Sequence, residues 1–345
     1  MLPSEDLVQV KFEDLENIRS SVDVLKSERE ARPKKEALSF GVPFLDEAVG
    51  GIYENDLVLL GARTGAGKTQ LATIVALANA QKHRVCYFAL EAEPMEIERR
   101  IKFRMTSQLF HNTMKSKYPH VHMNYGDWRY GKFNELMDPY DDELSAIAGE
   151  ACKNLSTFYR TGGGSFTSER LQKMVLARQK DFDLFIIDHL HFFDIEDENE
   201  NRGMKSLLMD LRDLALMTGK PILLIAHIRK VDRRQRGLVP DIEDFHGSSD
   251  VVKIATKVVT MAPAEGLEVP NATDPVWYTY MRASKNRVDG SRVRYLGLTA
   301  YNPRQEGYDS KYYLAKHAFD KFDGISDPES RPYWAKSCRL WGRAF

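Results

Sequence analysis

The chain has 345 residues, 43% of them hydrophobic, which is enough for one large domain or two small ones with a real core. Its 49 Lys and Arg balance 50 Asp and Glu to a formal net charge of −1, so global charge neither supports nor excludes nucleic acid, and any such affinity must come from a local patch. Three scattered cysteines, Cys86, Cys152 and Cys338, lack metal-type spacing and fit a reducing, cytoplasmic setting, and no apolar run approaches the ~18–20 residues that would span a membrane.

In chain order, residues 1–36 are charged, with a loose apolar stripe (Leu7, Val10, Phe12, Leu15, Ile18, Val22, Leu25) that predicts a short helical N-terminal arm. The arm either packs on its own domain or docks on a neighbouring subunit, and Arg32-Pro33-Lys34-Lys35 marks a hinge. Next come Gly41-Val42-Pro43-Phe44-Leu45-Asp46-Glu47-Ala48-Val49-Gly50-Gly51 and a polar turn, Tyr53-Glu54-Asn55-Asp56. The apolar run Leu57-Val58-Leu59-Leu60 predicts a buried strand leading into Ala62-Arg63-Thr64-Gly65-Ala66-Gly67-Lys68-Thr69, with a helix from Gln70 to Ala80. That order of strand, small-residue turn and helix is a phosphate-binding loop, whose backbone N–H groups and helix N-terminus face phosphates. Lys68 would reach the β- and γ-phosphates of ATP and Thr69 would hold Mg²⁺, while Gly65 and Gly67 let the backbone approach the ligand. Ala62 stands where the strict pattern has glycine, one residue after Gly61.

The G-x-x-x-L-D-x-x-x-G-G stretch, the polar turn, the strand and the phosphate loop together resemble the RecA-like ATPase core. The Ala62-Arg63 start of the loop resembles the replicative hexameric helicases of the DnaB type. The resemblance implies an α/β fold, a RecA-like P-loop NTPase with a mainly parallel central sheet flanked by helices. It would occupy residues 37–300, with an insertion at about 105–164 and a C-terminal extension at 301–345.

Arg84 to Leu90 predicts the second strand, and Phe88-Ala89-Leu90-Glu91 matches the family's strand that ends in the carboxylate activating the attacking water; this implies Glu91 as the base, with Glu93 the alternative in a shifted register. The aromatic region 105–164 is read as an insertion with its own small core, and Leu155 to Arg160 as a strand. A helix over Thr167–Lys180 precedes Asp183-Leu184-Phe185-Ile186-Ile187-Asp188, an apolar run tipped by an acid, which makes Asp188 the second Mg²⁺ residue. A charged linker, Glu196 to Arg202, leads to a helix over Met204–Thr218.

Ile222 to Ala226 predicts another strand, tipped by His227, where the family has a γ-phosphate sensor. Arg229, Lys230, Arg233, Arg234 and Arg236 then put five positive charges into eight residues, able to neutralise DNA phosphates. By resemblance this loop, and the one at Gly247-Ser248, line the channel for single-stranded DNA. Lys257–Met261, Val276–Met281 and Arg292–Leu298 predict late strands. Lys285, Arg287 and Gly290 resemble the family's K-x-R-x-x-G element, in which the cations act in trans on a neighbouring subunit's nucleotide.

The resemblance as a whole implies an ATP hydrolase that forms a homo-oligomeric, hexameric ring, moves on single-stranded DNA, unwinds duplex and works with other replication proteins. A recombination or regulatory ATPase, or an ATP-binding helicase loader or accessory subunit, is the alternative.

Overall fold

The computed structural model describes residues 36–162, 164–194, 200–228, 240–245, 253–263, 277–287, 295–302 and 307–316, the last two stretches as backbone. The chain divides into two units, Met1–Ala37 and Leu38–Phe345, and the fold below is that of the second. The expected N-terminal arm lies outside the described residues, as do Arg229, Lys230, Arg233, Arg234, Arg236, Gly247 and Ser248.

A helix α1 (Pro43–Val49) opens the unit, started by Pro43 and closed by Gly50 in the left-handed region at φ 76°. The Asp46 carboxylate accepts from the Ser39 hydroxyl and the Phe40 N–H, both at 2.6 Å, so the Leu45-Asp46 pair of the sequence motif fixes the chain's approach to the sheet. Strand β1 (Leu57–Ala62) follows, then the phosphate loop, α2 (Lys68–Ala80) and β2 (Val85–Ala89). Between β2 and β3 (Leu155–Tyr159) run α3 (Glu96–Leu109), the short helices α4 (Tyr125–Arg129) and α5 (Asn134–Met137), and α6 (Asp141–Ala151). Phe103, Phe110, Met114, Met123, Phe133, Met137 and Leu144 close a separate hydrophobic cluster among these helices, so the aromatics there are spent on packing.

Helix α7 (Ser168–Arg178), capped by the Thr167 side chain, leads to β4 (Leu184–Asp188), and α8 (Glu200–Thr218) leads to β5 (Ile222–His227). Residues 200–202, expected in the charged linker, belong to α8. Strands β6 (Lys257–Pro263), β7 (Trp277–Asn286), β8 (Tyr295–Asn302) and β9 (Gly307–Lys316) complete the described elements. They form one sheet in the order β3-β2-β4-β5-β1-β6-β7-β8-β9. Pairing is parallel from β3 to β6 and antiparallel from β6 to β9. The sheet therefore runs past residue 300: β9 pairs with β8, and its mixed Tyr, Lys and Asp sequence gave no clear alternation to signal a strand.

Alternation along the buried strands divides the core between two faces. Val58, Leu60, Tyr87, Leu184, Ile186, Leu223 and Ile225 join Leu71, Ile74 and Val75 of α2 on one face. Leu57, Leu59, Cys86, Phe88, Phe185, Ile187 and Leu224 join Leu171 and Val175 of α7 and Leu207, Leu208 and Leu211 of α8 on the other. Covered on both sides, the strands contain almost nothing polar until their carboxyl ends. Among the described residues no helix is long and apolar enough to cross a membrane.

At Gly61 the second face presses directly on the phosphate-loop strand. A Cβ there would lie 2.1 Å from Phe245 Cζ and 2.5 Å from Cε1, and the Phe245 ring is fully buried. Gly61→Ala should therefore destabilise the fold by about 1–3 kcal/mol through overpacking. The readout is the denaturant midpoint; a midpoint equal to wild type would mean that the ring does not rest on Gly61.

Candidate functional site

Parallel α/β sheets offer ligands the crevice beyond the carboxyl ends of their strands, where the next helices begin. Four such ends converge here: β1 delivers the phosphate loop, Glu91 stands two residues past β2, Asp188 ends β4 and His227 ends β5. They surround a cavity of about 520 Å³. Of the sequence-predicted residues, Thr64, Gly65, Gly67, Lys68, Thr69, Gln70, Glu91, Asp188 and His227 line it, joined by Ala92, Glu96 and Arg100, which sequence reasoning did not single out. Ala62, Arg63 and Ala66 shape the loop from behind: Ala62 and Ala66 are buried, and the Arg63 carbonyl accepts from Ala66 N at 3.2 Å and from Lys68 Nζ at 3.1 Å.

The loop takes its shape from Gly65 and Gly67, at φ 78° and 88°, a region that disfavours any side chain with a Cβ. Gly67 also starts α2 with no capping side chain on the helix's first N–H groups. The Lys68 ammonium, 7% exposed as a residue, lies 3.0 Å from His227 Nδ1. Burial lowers its pKa, and the Asp188 and Glu91 carboxylates oppose that shift.

Asp188 is almost fully buried, and its Oδ2 accepts from the Tyr87 hydroxyl at 2.9 Å. Desolvation raises its pKa, opposed by hydrogen bonds from Tyr87 and Thr69. Oδ1 of the same carboxylate is buried without a hydrogen-bond partner. A buried, orphaned carboxylate oxygen beside a threonine hydroxyl is the donor chemistry of a hard divalent cation, so Thr69 and Asp188 fit Mg²⁺.

Glu91 is held differently. Its backbone N–H faces the Asp188 carbonyl at 3.4 Å, and its Oε2 lies 2.9 Å from His189 Nε2, although half of its side chain is open to solvent. Glu93, the alternative, pairs instead with Arg99 at 2.8 Å and Arg129 at 2.6 Å and does not line the cavity. His189 Nε2 also lies 3.0 Å from His227 Nε2. Burial, before neighbouring positive groups, pushes the pKa of both imidazoles down to about 4, so both are neutral near pH 7.

Glu96 and Arg100 pair across one helical turn at 2.7 Å, and Arg100 stacks 4.7 Å over the Tyr125 ring. They bring the mouth of the helical subassembly to the cavity, and their i,i+4 spacing on the first turns of α3 was the only sequence signal for them. Lys285 and Arg287 do not line this chain's cavity: Lys285 Nζ donates to the Ala255 carbonyl at 2.5 Å, and Arg287 is exposed at the end of β7.

The sequence model of the DnaB-like helicase C terminal domain matches residues 37–288. A solved structure of a DnaB-like replicative helicase and its interactions with primase is similar in fold, with a TM-score of 0.65 at 15% identity over 85% of this chain and 67% of that chain. A second solved structure, that of an ATPase domain, is likewise similar, with a TM-score of 0.65 at 15% identity over 83% of this chain and 95% of that chain. Comparison with curated proteins gives no match.

Proposed function

Because the chain belongs to the family of the DnaB-like helicase C terminal domain, we propose that it is an ATP-driven motor that assembles into a hexameric ring, moves along single-stranded DNA and unwinds duplex during replication. The observation that carries this reading is the convergence of Lys68, Thr69, Glu91, Asp188 and His227 on one cavity at four strand ends. In this reading the loop N–H groups and the Lys68 ammonium bind the ATP phosphates and offset charge as the γ-phosphoryl group leaves. The Glu91 carboxylate orients the attacking water and takes its proton. Thr69 and Asp188 would hold Mg²⁺, which when bound would neutralise phosphate charge. His227 responds to the γ-phosphate, a role supported by its contact with Lys68 at 3.0 Å.

Arg287, exposed at the end of β7, completes the site of a neighbouring subunit, and the Ala255 carbonyl steadies Lys285 beside it. Domain limits follow the same reading: an arm over 1–36, the motor from 37 with the helical insertion near 105–164, and a C-terminal extension.

The test is steady-state ATPase rate against protein concentration, with and without single-stranded DNA, followed by forked-duplex unwinding. Cooperative, DNA-stimulated turnover with unwinding is expected; turnover indifferent to DNA would move the function to a regulatory or accessory ATPase. The DNA contacts are assigned to the basic segment after β5. Replacing Arg233, Arg234 and Arg236 together by Ala should weaken single-strand binding at every sequence and flatten the slope of log affinity against log salt by about 2, at ~0.7 per lost phosphate contact. An unchanged slope would put the DNA site elsewhere.

A further inference from the structure

His189 is a strongly buried polar group of the site to which the reading above gives no role. It is 2% exposed, directly follows Asp188, and is in contact with both Glu91 and His227. Its ring is fixed on three sides, edge-on to His227 (centroids 4.3 Å apart), Phe192 (5.0 Å) and His191 (5.5 Å). Its tautomer is fixed as well. The His191 backbone N–H donates to His189 Nδ1 at 3.2 Å, and a ring nitrogen that accepts carries no proton, so the ring's one proton sits on Nε2.

That single Nε2–H has two claimants, the Glu91 carboxylate at 2.9 Å and His227 Nε2 at 3.0 Å. Which one receives it depends on Lys68. While the ammonium, a donor only, faces His227 Nδ1 at 3.0 Å, His227 must accept there and carry its own proton on Nε2. Two N–H groups repel at the 3.0 Å that separates the nitrogens, so in that state the contact opens and the His189 proton goes to Glu91. Once Lys68 turns to a phosphate, His227 is free to lose its Nε2 proton to water and gain one on Nδ1, with no change in charge. Its Nε2 then accepts from His189 and competes with Glu91.

We propose that His189 is the positioning residue of the Glu91 carboxylate, and that its one Nε2 proton, contested by Glu91 and His227, couples placement of the base to occupation of the phosphate loop. The inference rests on Glu91 acting as the base.

The experiment measures ATPase kcat and, separately, equilibrium binding of fluorescent ADP for His189→Phe, His189→Asn and His189→Gln in the full chain, with melting curves as a folding check. Phe keeps the ring without a donor, Asn is too short to reach Glu91, and Gln carries an N–H near the Nε2 position. Phe and Asn should lower kcat about 10²-fold, the scale of a displaced catalytic group, with nucleotide affinity unchanged, and Gln should recover most of the loss. In a Glu91→Gln background, His189→Phe should cost little more, because the group it positions is already disabled. Wild-type kcat in Phe and Asn, equal losses in Phe and Gln, or a full multiplicative loss in the Glu91→Gln background would each overturn the proposal; if Phe does not fold, Asn and Gln decide. Normal turnover in Glu91→Gln alone would instead remove the base itself.

Discussion

Glu91→Gln is expected to lower kcat for ATP hydrolysis by about 10²–10⁴-fold, the range that a positioned general base supplies, while leaving nucleotide affinity near wild type. The substitution keeps the side chain's length and an oxygen able to accept from His189 Nε2, now 2.9 Å from Oε2, so the local structure has no reason to move. What it removes is the capacity to take a proton. In the proposed reading phosphate is bound by the loop N–H groups and Lys68, and the Lys68 ammonium is held by the Arg63 carbonyl, not by Glu91. Steady-state turnover paired with equilibrium nucleotide binding separates the two roles. Near-normal turnover would move the base to another residue. Glu93→Gln is the matched control, expected to act weakly because Glu93 is engaged by Arg99 and Arg129 away from the cavity.

Asp56→Ala should be the most damaging change for stability, costing about 3–5 kcal/mol, as expected when one partner of a buried ion pair is removed and the other stays. The Lys257 side chain is 0% exposed and its Nζ lies 2.9 Å from Asp56 Oδ2. Lys257 also donates to the Gly51 carbonyl at 2.5 Å and sits 4.8 Å over the Tyr53 ring. Asp56 in turn accepts from the Thr256 hydroxyl at 2.8 Å and from Tyr53 N at 2.9 Å. Truncation would therefore leave the buried Lys257 cation without its counter-charge and the Tyr53 N–H without its acceptor where β1 and β6 begin, while the Thr256 hydroxyl keeps the Leu57 carbonyl. The measurement is denaturant unfolding. Pairing Asp56→Ala with Lys257→Met should restore much of the loss, since no unpaired charge would remain. A loss below about 1 kcal/mol in Asp56→Ala would mean that water reaches the pair.

These two cases mark what the sequence made legible. The phosphate loop and Asp188 were readable because each is local: an apolar run buried on both faces ends in a polar residue, and the strand end puts that residue in the crevice, whereas the role of His227 at the end of β5 came from the resemblance. Glu91 was readable only by resemblance to a family, because a lone acid after an apolar run equally suits a helix start; α3 begins later, at Glu96. Lys257 was invisible because its partners come from the other end of the fold, with Gly51 206 positions away. His189 was passed over because nothing in Asp188-His189-Leu190-His191 announces that β2 and β5 would bring a carboxylate and a second imidazole to the same nitrogen. Arg100 was hidden in a charged helix face until Tyr125 and Glu96 fixed its direction.

The contact of Phe245 with Gly61 bears on more than packing. The basic segment leaves the described fold after Ile228, whose N–H faces the Ala62 carbonyl at 3.3 Å, and Ile228 forms an isolated bridge with Phe245 farther along the chain. Both feet of the segment thus stand on the last two residues of the strand that carries the phosphate loop. Ile228 and Phe245 therefore share one support, and a displacement of Gly61 and Ala62 would reach both residues together.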